Sequence, residues 1–179
     1  KGVSYCATCD AAFFKDKKVA IIGGGDTAME EALVLTKYAS EITVIHRRDT
    51  FRASEVMQKK VLGNPKIKVM WNTEVVKVNG SDKVSSLSLR NNKTDATGEL
   101  AVEGVFVAVG HKPDSDLFAS QIETDEAGFI KVTSGHAQTS TPGVFVAGDV
   151  MDANYKQAIS AACSGCAAAI EVLAHLDKS

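Results

Sequence analysis

A short strand pattern that leads into three glycines and then into a helix pattern constrains the fold of this chain most. Residues 17–22 (KKVAII) are rich in β-branched residues, Gly23-Gly24-Gly25 follow, and residues 26–38 (DTAMEEALVLTKY) carry apolar side chains near helical spacing. Residues 41–45 (EITVI) have the pattern of a second strand. The order strand, glycine turn, helix, strand predicts a βαβ unit.

The glycine turn has the pattern G-x-G-x-x-A, which is typical of dinucleotide binding when it joins a strand to a helix. Gly23 would make the tight turn, and Gly25 would let backbone N–H groups approach a pyrophosphate. Ala28 is small enough for close packing of the helix on the strand. A purely structural glycine turn is the alternative, but its position at a helix start favours the dinucleotide site.

The residues that follow the second strand indicate which dinucleotide would bind. A site for NAD normally has Asp or Glu there, which binds the ribose 2′-hydroxyl. This chain instead has His46-Arg47-Arg48, with Arg52 further along and Asp49 only after the two arginines. Guanidinium groups suit a 2′-phosphate because each can make paired, charge-assisted hydrogen bonds with its oxygens. NADP(H) is therefore favoured over NAD(H), with a solvated basic turn as the alternative.

The cysteines form two Cys-x-x-Cys pairs at opposite ends of the chain, Cys6–Cys9 and Cys163–Cys166. Thiols spaced in this way at a turn or helix start can close a small disulfide ring and exchange with other disulfides. Asp10 follows the first pair and could accept or return a thiol proton. Half of a zinc site and two inert buried cysteines are the alternatives. We interpret the second pair as buried cysteines of a helix, because the two pairs lie too far apart for a zinc ribbon.

The rest of the chain has further patterns of helix and strand. The predicted elements are a helix over 52–62, an antiparallel meander of strands over 67–71, 74–78, 84–89 and 100–102 with turns at Asn79-Gly80 and Thr97-Gly98, buried strands over 104–109 and 143–147, and a long helix over 155–176. The two buried-strand segments begin with the same five residues, GVFVA. This repeat suggests two strands with similar roles in two sheets.

Composition bears on several classes of function. Twenty Lys and Arg against 22 Asp and Glu give a formal charge of −2, so no binding to nucleic acid is expected. Hydrophobic residues make up 45% of the chain, as in ordinary globular proteins. We found no run of about 18 apolar residues and expect no membrane span. No histidine has a partner at metal-ligand spacing, so no metal site is predicted.

In their order along the chain, these motifs resemble those of low-molecular-weight thioredoxin reductases. The shared segments are C-A-T-C-D, G-G-G-D-T-A-x-E-E-A, H-R-R-x-x-x-R, G-V-F-x-A-G-D-V and K-Q-A-I, and together they extend over essentially the whole chain. The resemblance implies an α/β fold: a Rossmann-like three-layer NADPH-binding domain with an antiparallel β-meander over residues 1–112. The C-terminal part of a second, FAD-binding Rossmann-like domain would follow over residues 113–179.

The resemblance also implies a role for each candidate residue. Cys6 and Cys9 would be the redox-active pair, with Cys9 nearer the flavin and Cys6 attacking thioredoxin, and Asp10 would be the acid–base carboxylate. The cofactor-binding residues would be Gly23, Gly25, Asp26 and Thr27 at the NADPH pyrophosphate, His46, Arg47, Arg48 and Arg52 at its 2′-phosphate, Asp149 at the ribityl or pyrophosphate part of FAD, and Gln157 and Ala158 at the isoalloxazine ring.

The function implied is that of the C-terminal portion of an NADPH-dependent thioredoxin-disulfide reductase. Hydride would pass from NADPH to FAD, electrons would then reduce the Cys6–Cys9 disulfide, and the dithiol would reduce thioredoxin. We also expect a cytoplasmic protein that is a homodimer at full length. The alternatives are a related flavin disulfide reductase with another electron donor or protein acceptor, such as a peroxiredoxin-system component, and an inert nucleotide-binding module.

The chain departs from the pattern of that family at three points. The glycine fingerprint for FAD that precedes the redox pair in the family is absent, Lys156 stands where Arg is common, and Cys163 stands where Gly is usual. We therefore expect this chain alone to bind NADPH but to hold FAD poorly and to reduce no thioredoxin. The two GVFVA strands would lack sheet neighbours, and the segment after residue 113 would expose apolar surface.

Overall fold

A parallel sheet organises the first of two units into which the chain divides, Lys1–Gly110 and the part from His111 onward. The structure is a computed structural model and describes residues 1–178. The strands of the first unit are β1 (Val3–Ser4), β2 (Lys18–Gly23), β3 (Glu41–Ile45), β4 (Ile67–Met70), β5 (Thr73–Gly80), β6 (Val84–Asn91), β7 (Thr97–Ala101) and β8 (Gly104–Ala108). Its helices are α1 (Ala7–Asp10), α2 (Asp26–Leu35) and α3 (Glu55–Leu62), with a 3-10 helix at Ala11–Phe14.

The parallel sheet has the strand order β1-β8-β2-β3-β4. The helix α2 connects β2 to β3 and α3 connects β3 to β4, so each crossover returns the chain to a parallel neighbour. The strand β8 comes from the end of the unit and inserts between β1 and β2. The carboxyl ends of β2, β3 and β8 therefore meet at one edge of the sheet, where open α/β sheets bind their ligands.

Both faces of the parallel sheet are covered, which gives three layers. Alternate side chains of β2 point to opposite faces, so Val19 and Ile21 pack against the helices while Ala20 packs on the other side. The antiparallel sheet β5-β6-β7 covers that second face and contributes Leu87 and Leu89 to its core. The predicted three-layer arrangement with an antiparallel meander is confirmed.

One strand and both turns of the predicted meander are wrong. The segment predicted as strand 67–71 is β4, which pairs with β3 at the edge of the parallel sheet, because α3 returns the chain directly beside β3. The predicted turns at Asn79-Gly80 and Thr97-Gly98 lie inside β5 and β7. The chain turns at residues 81–83 between β5 and β6. Between β6 and β7 it turns where the Asn91 side chain accepts hydrogen bonds from the backbone N–H groups of Lys93 and Thr94 and so forms an Asx turn.

The second unit has little regular structure before its long helix α4 (Ala158–Leu176). A small core of Ile122, Ile130 and Val146 holds its loops together. The predicted strand over 143–147 is wrong, because among residues 1–178 this segment forms only an isolated bridge between Phe145 and Gln138. The expectation that this GVFVA segment would lack sheet neighbours is thus confirmed, whereas for β8 it is wrong because β1 and β2 flank that strand.

The helix α4 has no buried side chain in the described chain, and Ile159, Ile170 and Leu173 are 62–80% exposed. The expected exposure of apolar surface after residue 113 is confirmed. Cys163 and Cys166 are exposed. Their predicted burial is wrong, because no part of the described chain packs over them.

By length and composition alone, α4 could cross a membrane, since its most apolar window has a mean hydropathy of 1.5. Its Glu171 accepts hydrogen bonds from the backbone N–H groups of His136 (2.6 Å) and Ala137 (3.2 Å), which attach the helix to a loop of the same unit. The absence of a membrane span stays a prediction.

Candidate functional site

A disulfide joins Cys6 and Cys9 at the start of α1. Cys6 is the N-cap residue of this short helix, and its sulfur accepts a hydrogen bond from the Cys9 backbone N–H at 3.1 Å. Cys9 is exposed and Cys6 is partly buried. The disulfide that the spacing of the first pair allowed is therefore present, and one of its two cysteines is an exposed residue. Within residues 1–178, no three His, Cys, Asp or Glu side chains are placed to hold a metal ion.

The carboxylate of Asp10 is held by a hydroxyl group that sequence reasoning missed. The Ser4 hydroxyl donates to Asp10 Oδ2 at 2.7 Å, and the same Ser4 oxygen accepts the Cys6 backbone N–H at 3.1 Å. Ser4 is buried and lies in β1, which pairs with β8. One hydroxyl thus links the acid to the backbone of the redox pair. The only signal in the sequence is a serine two residues before the first cysteine.

A second carboxyl group lies against the same short helix. Glu31 of α2 accepts the Ala7 backbone N–H on Oε1 at 3.3 Å, while its Oε2 is buried without a hydrogen-bond partner. Burial raises the pKa of Glu31. Sequence reasoning gave no role to this residue, because its contact depends on how α1 packs on α2.

The glycine turn lies between β2 and α2 as predicted, and two of its glycines are required by close contacts. A Cβ on Gly23 would lie 2.3 Å from the Ala108 carbonyl oxygen, and one on Gly24 would lie 2.2 Å from the His46 ring. Gly25 is the N-cap residue of α2, and a Cβ there would meet nothing within 4 Å. Space is therefore left at the start of α2, where backbone N–H groups and the helix dipole favour an anion.

An open cavity of about 680 Å³ lies at this edge of the sheet. The predicted site residues that line it are Gly23, Gly25, Thr27, His46, Arg47 and Arg52. The segment Thr73–Val78 of β5 forms part of the wall, which sequence reasoning missed because it depends on how the antiparallel sheet packs. Its volume suits a substantial part of a dinucleotide. Within residues 1–178, the cavity wall does not include Asp26 or Arg48.

His46 is buried beneath the arginine turn. Its Nε2 lies 3.0 Å from the Thr50 carbonyl oxygen, and its ring packs near those of Phe51 and Trp71, with centroids 5.5 and 6.1 Å away. Burial, together with the positive charges of Arg48 and Arg52, lowers the pKa of His46. The neutral ring therefore donates from Nε2 to Thr50 and supports the turn that carries the arginines.

Backbone contacts fix the arginine turn while its guanidinium groups stay exposed. The three anchoring hydrogen bonds run from the Arg52 N–H to the Gly24 carbonyl (2.8 Å), from the Asn92 side-chain amide to the Arg47 carbonyl (2.6 Å), and from the Asn72 N–H to the Arg48 carbonyl (3.1 Å). Because the backbone is held at three points, an incoming phosphate would have to order only the arginine side chains.

Two acids near the cavity are engaged elsewhere. Asp49 forms an ion pair with Lys93 at 2.7 Å, and this hydrogen bond lowers the pKa of Asp49. Asp26 accepts hydrogen bonds from the Ser54 N–H (2.9 Å) and hydroxyl (2.8 Å), which lower the pKa of Asp26 and tie the start of α2 to the start of α3. Asp26, a predicted cofactor residue, thus connects two helices through Ser54 in this structure.

The remaining predicted residues lie in the second unit. Asp149 is exposed in a loop, Gln157 is the N-cap residue of α4, and Ala158 is the first, exposed residue of that helix. Asp152 shapes the turn before them, because its carboxylate accepts hydrogen bonds from the N–H groups of residues 154–156 and from the Ser160 hydroxyl. These bonds lower the pKa of Asp152 to about 2.

Known proteins are similar to this chain over nearly all of its length. The thioredoxin reductase of Streptomyces clavuligerus is 49% identical over 98% of this chain and 55% of its own length. The bifunctional thioredoxin reductase/thioredoxin of Mycobacterium leprae is 52% identical over 96% of this chain and 37% of its own length. The crystal structure of the thioredoxin reductase from Streptococcus pyogenes matches 99% of this chain and 58% of that chain, at 40% identity and a TM-score of 0.91.

The chain spans about half the length of the curated relatives it matches. The model of one protein family, described as pyridine nucleotide-disulphide oxidoreductase, matches residues 1–165. The chain therefore belongs to the pyridine nucleotide-disulphide oxidoreductase family.

Proposed function

We propose that this chain is the C-terminal portion of an NADPH-dependent thioredoxin-disulfide reductase. The observation that carries the proposal is one unit that holds both a disulfide beside a carboxylic acid and a glycine-turn cavity bordered by arginines. The relatives named thioredoxin reductase support it. In this proposal residues 1–112 are the NADPH-binding domain and residues 113–179 the C-terminal part of the FAD-binding domain.

The cavity of the first unit fits NADPH. Its pyrophosphate would lie at the start of α2, in the space that Gly25 leaves and near Gly23, Asp26 and Thr27. Its 2′-phosphate would be bound by Arg47 and Arg52 from the cavity wall. Asp49 is paired with Lys93 and does not compete as a ligand for a ribose 2′-hydroxyl.

The two residues next to Arg47 in the chain, His46 and Arg48, also have a place in this site. We assign Arg48 to the outer side of the 2′-phosphate, because its side chain is exposed beside the anchored turn but outside the cavity wall. We assign His46 to the inner side, where its ring lines the cavity and supports the turn at Thr50.

The start of α4 fits one side of a flavin cofactor. Exposed Asp149 would lie at the ribityl or pyrophosphate part of FAD, and Gln157 and Ala158, at the N-terminus of a 19-residue helix, would lie at the isoalloxazine ring. When bound, NADPH supplies a hydride and FAD carries the two-electron chemistry. The chain's own contribution there is to orient the cofactor through a turn that Asp152 holds in place.

Thiol–disulfide exchange is the step that this chain's own residues perform. In the reduced form, the Cys6 thiolate attacks a sulfur of the target disulfide, so that one Cys6–target bond forms and one target thiolate leaves. The Cys9 thiolate then attacks Cys6, restores the Cys6–Cys9 disulfide and releases the second target thiolate. Two electrons pass from the dithiol to the target, and Asp10 accepts and returns the thiol protons.

We propose thioredoxin as the protein acceptor, a cytoplasmic location and a homodimer for the full-length protein. The names of the relatives support the acceptor. The formal charge of −2 and the arrangement of the site give no reason to expect nucleic acid as a partner.

Trapping of a mixed disulfide tests the proposed exchange step. A Cys9→Ser variant of the reduced chain, with Cys163 and Cys166 replaced by Ser, should form a covalent adduct with oxidised thioredoxin through Cys6. The matched Cys6→Ser variant should form far less adduct, because its remaining thiol is assigned to the flavin side. Mass spectrometry of the adduct identifies the linked cysteine. No adduct with thioredoxin, but one with an oxidised peroxiredoxin, would favour another acceptor.

A further inference from the structure

Ser4 is a buried polar residue that contacts the redox segment and that the proposed exchange step does not use. Only 3% of it is exposed, so its hydroxyl can exchange few hydrogen bonds with solvent. It lies in β1, and its partner in the parallel pairing with β8 is Phe106, which is fully buried. The hydroxyl therefore extends from a buried position that is hydrogen-bonded into the sheet.

The hydroxyl hydrogen of Ser4 has two acceptors within reach, and one is clearly better. Asp10 Oδ2 lies 2.7 Å from Ser4 Oγ, whereas the Cys6 carbonyl oxygen lies 3.4 Å away. The carboxylate wins, because a charge-assisted bond is shorter and stronger than a bond to a neutral carbonyl. The Ser4 oxygen also accepts the Cys6 N–H at 3.1 Å. The result is a directed chain from the Cys6 N–H through Ser4 to Asp10.

We infer that Ser4 is a positioning residue for Asp10, and that it keeps the acid in register with the cysteine pair when their disulfide is open. The inference rests on the proposed function, in which Asp10 exchanges protons with the thiols. The short helix α1 is closed covalently only while Cys6 and Cys9 are bonded. After reduction, the two hydrogen bonds of Ser4 still connect that turn and Asp10 to β1.

The same contact makes the two oxygens of Asp10 unequal. The hydroxyl donor lowers the basicity of Oδ2, so the proton that leaves a thiol favours Oδ1. The Ser4 bond to Oδ2 is retained through the transfer, because a protonated carboxyl group still accepts at its other oxygen. Ser4 thus moves no proton itself and acts through Asp10.

The test measures how fast the reduced chain reduces oxidised glutathione at pH 7, with Cys163 and Cys166 replaced by Ser so that only Cys6 and Cys9 react. The readout is the rate at which the Cys6–Cys9 disulfide forms again, followed by acid quenching and intact mass. Asp10→Asn should slow this exchange at least about tenfold, because the thiol protons lose their acceptor. Ser4→Ala should slow it by roughly threefold to tenfold, because Asp10 is then held less well beside the cysteines.

Two further variants separate the hydroxyl from its shape. Ser4→Thr and Ser4→Val have the same outline, and only the first keeps the donor, so only Ser4→Val should slow the exchange. The Thr and Val variants also supply the answer if Ser4→Ala does not fold. Ser86→Ala, which changes a second buried serine in the antiparallel sheet, controls for loss of stability and should leave the rate unchanged.

The outcomes distinguish the inference from the proposal beneath it. If Asp10→Asn leaves the rate of exchange unchanged, the acid–base role of Asp10 in the proposed function is wrong. If Asp10→Asn slows the exchange but Ser4→Val reacts as fast as Ser4→Thr and wild type, Ser4 has no positioning role. The inference requires that Ser4→Val cause no further slowing when Asp10→Asn is already present. Equal slowing with and without Asp10→Asn would assign Ser4 to folding alone and overturn the inference.

Discussion

The arginine turn gives the sharpest prediction, because the structure separates two neighbouring arginines that the sequence places together. Arg47 lines the cavity at the carboxyl end of β3, whereas Arg48 is outside its wall in the described part of the chain. Their backbone carbonyls are both held by asparagines, so truncation of either side chain leaves the turn anchored. Arg47→Ala and Arg48→Ala remove the same charge and differ in position only.

The expected magnitude follows from the exposure of the site. A hydrogen bond to a charged group contributes about 1.5–3 kcal/mol, and the low end applies because Arg47 is exposed and the cavity is open to solvent. We therefore expect Arg47→Ala to weaken NADPH binding by about 1.5 kcal/mol, or roughly tenfold. Arg48→Ala should weaken it by less than about threefold, as a more distant, screened charge.

Calorimetric titration of the purified chain with NADPH and with NADH, at one fixed ionic strength, measures both effects. NADH has no 2′-phosphate, so its affinity should be the same for wild type and Arg47→Ala. Equal losses for both dinucleotides would show that Arg47 supports the fold of the turn and does not bind the phosphate. If Arg48→Ala weakened NADPH binding as much as Arg47→Ala, the assignment of the stronger phosphate contact to Arg47, which lines the cavity, would be refuted.

Three further predictions concern other parts of the chain. Alkylation of the unreduced chain should modify two cysteines, the exposed Cys163 and Cys166, and full reduction should raise the number to four because it opens the Cys6–Cys9 disulfide. Intact mass counts the modified cysteines, and protection of Cys163 and Cys166 would contradict the exposed face of α4. Burial raises the pKa of Glu31, so the protonated carboxyl group stabilises the folded chain at low pH, and this contribution is lost as pH rises above 4.5. The melting temperature of wild type should therefore fall relative to that of Glu31→Gln between pH 4 and 8. A difference that stays constant over this range would refute this reasoning. Hydrogen bonds lower the pKa of Asp152 to about 2, so the contribution of its carboxylate to stability is present above pH 3.8 and is lost as pH falls towards 2. Asp152→Asn should therefore lower the melting temperature at pH 7 and have little effect near pH 2. An equal loss at both pH values would show that the carboxylate charge is irrelevant.

The parts of the site that the sequence predicts well are those set by neighbours along the chain. The glycine turn follows from its place between β2 and α2, and the disulfide follows from the spacing of Cys6 and Cys9. The contacts of Ser4 and Glu31 could not be predicted, because they depend on how α1 packs against β1 and α2. The wall formed by β5 was missed for the same reason.

Burial of the α4 cysteines was mispredicted for a different physical reason. A helix rich in alanine is usually covered, so small thiols within it are expected to pack as hydrophobic side chains. That expectation needs a covering element, and none of the described residues supplies one for Cys163 or Cys166. The pattern thus indicated correctly that a helix would form, and only the burial of one face was wrong.

The two GVFVA segments show why an apolar pattern alone does not make a strand. The first copy is β8, where Val105 and Phe106 are fully buried because β1 and β2 bond to its two edges. The second copy has the same β-propensity, yet Val144 is 37% exposed and, within residues 1–178, only one isolated bridge reaches the segment. Strand formation therefore requires neighbours with free edges, and the second unit provides none within the described chain.

This difference decides where each part of the proposal can be tested. The disulfide, Asp10 and the arginine turn belong to a unit whose sheet has both faces covered, so their chemistry can be measured on this chain. Asp149, Gln157 and Ala158 belong to the unit whose helix has no buried side chain. Since the chain spans about half the length of its curated relatives, flavin binding by these three residues should be measured on a protein of the relatives' full length.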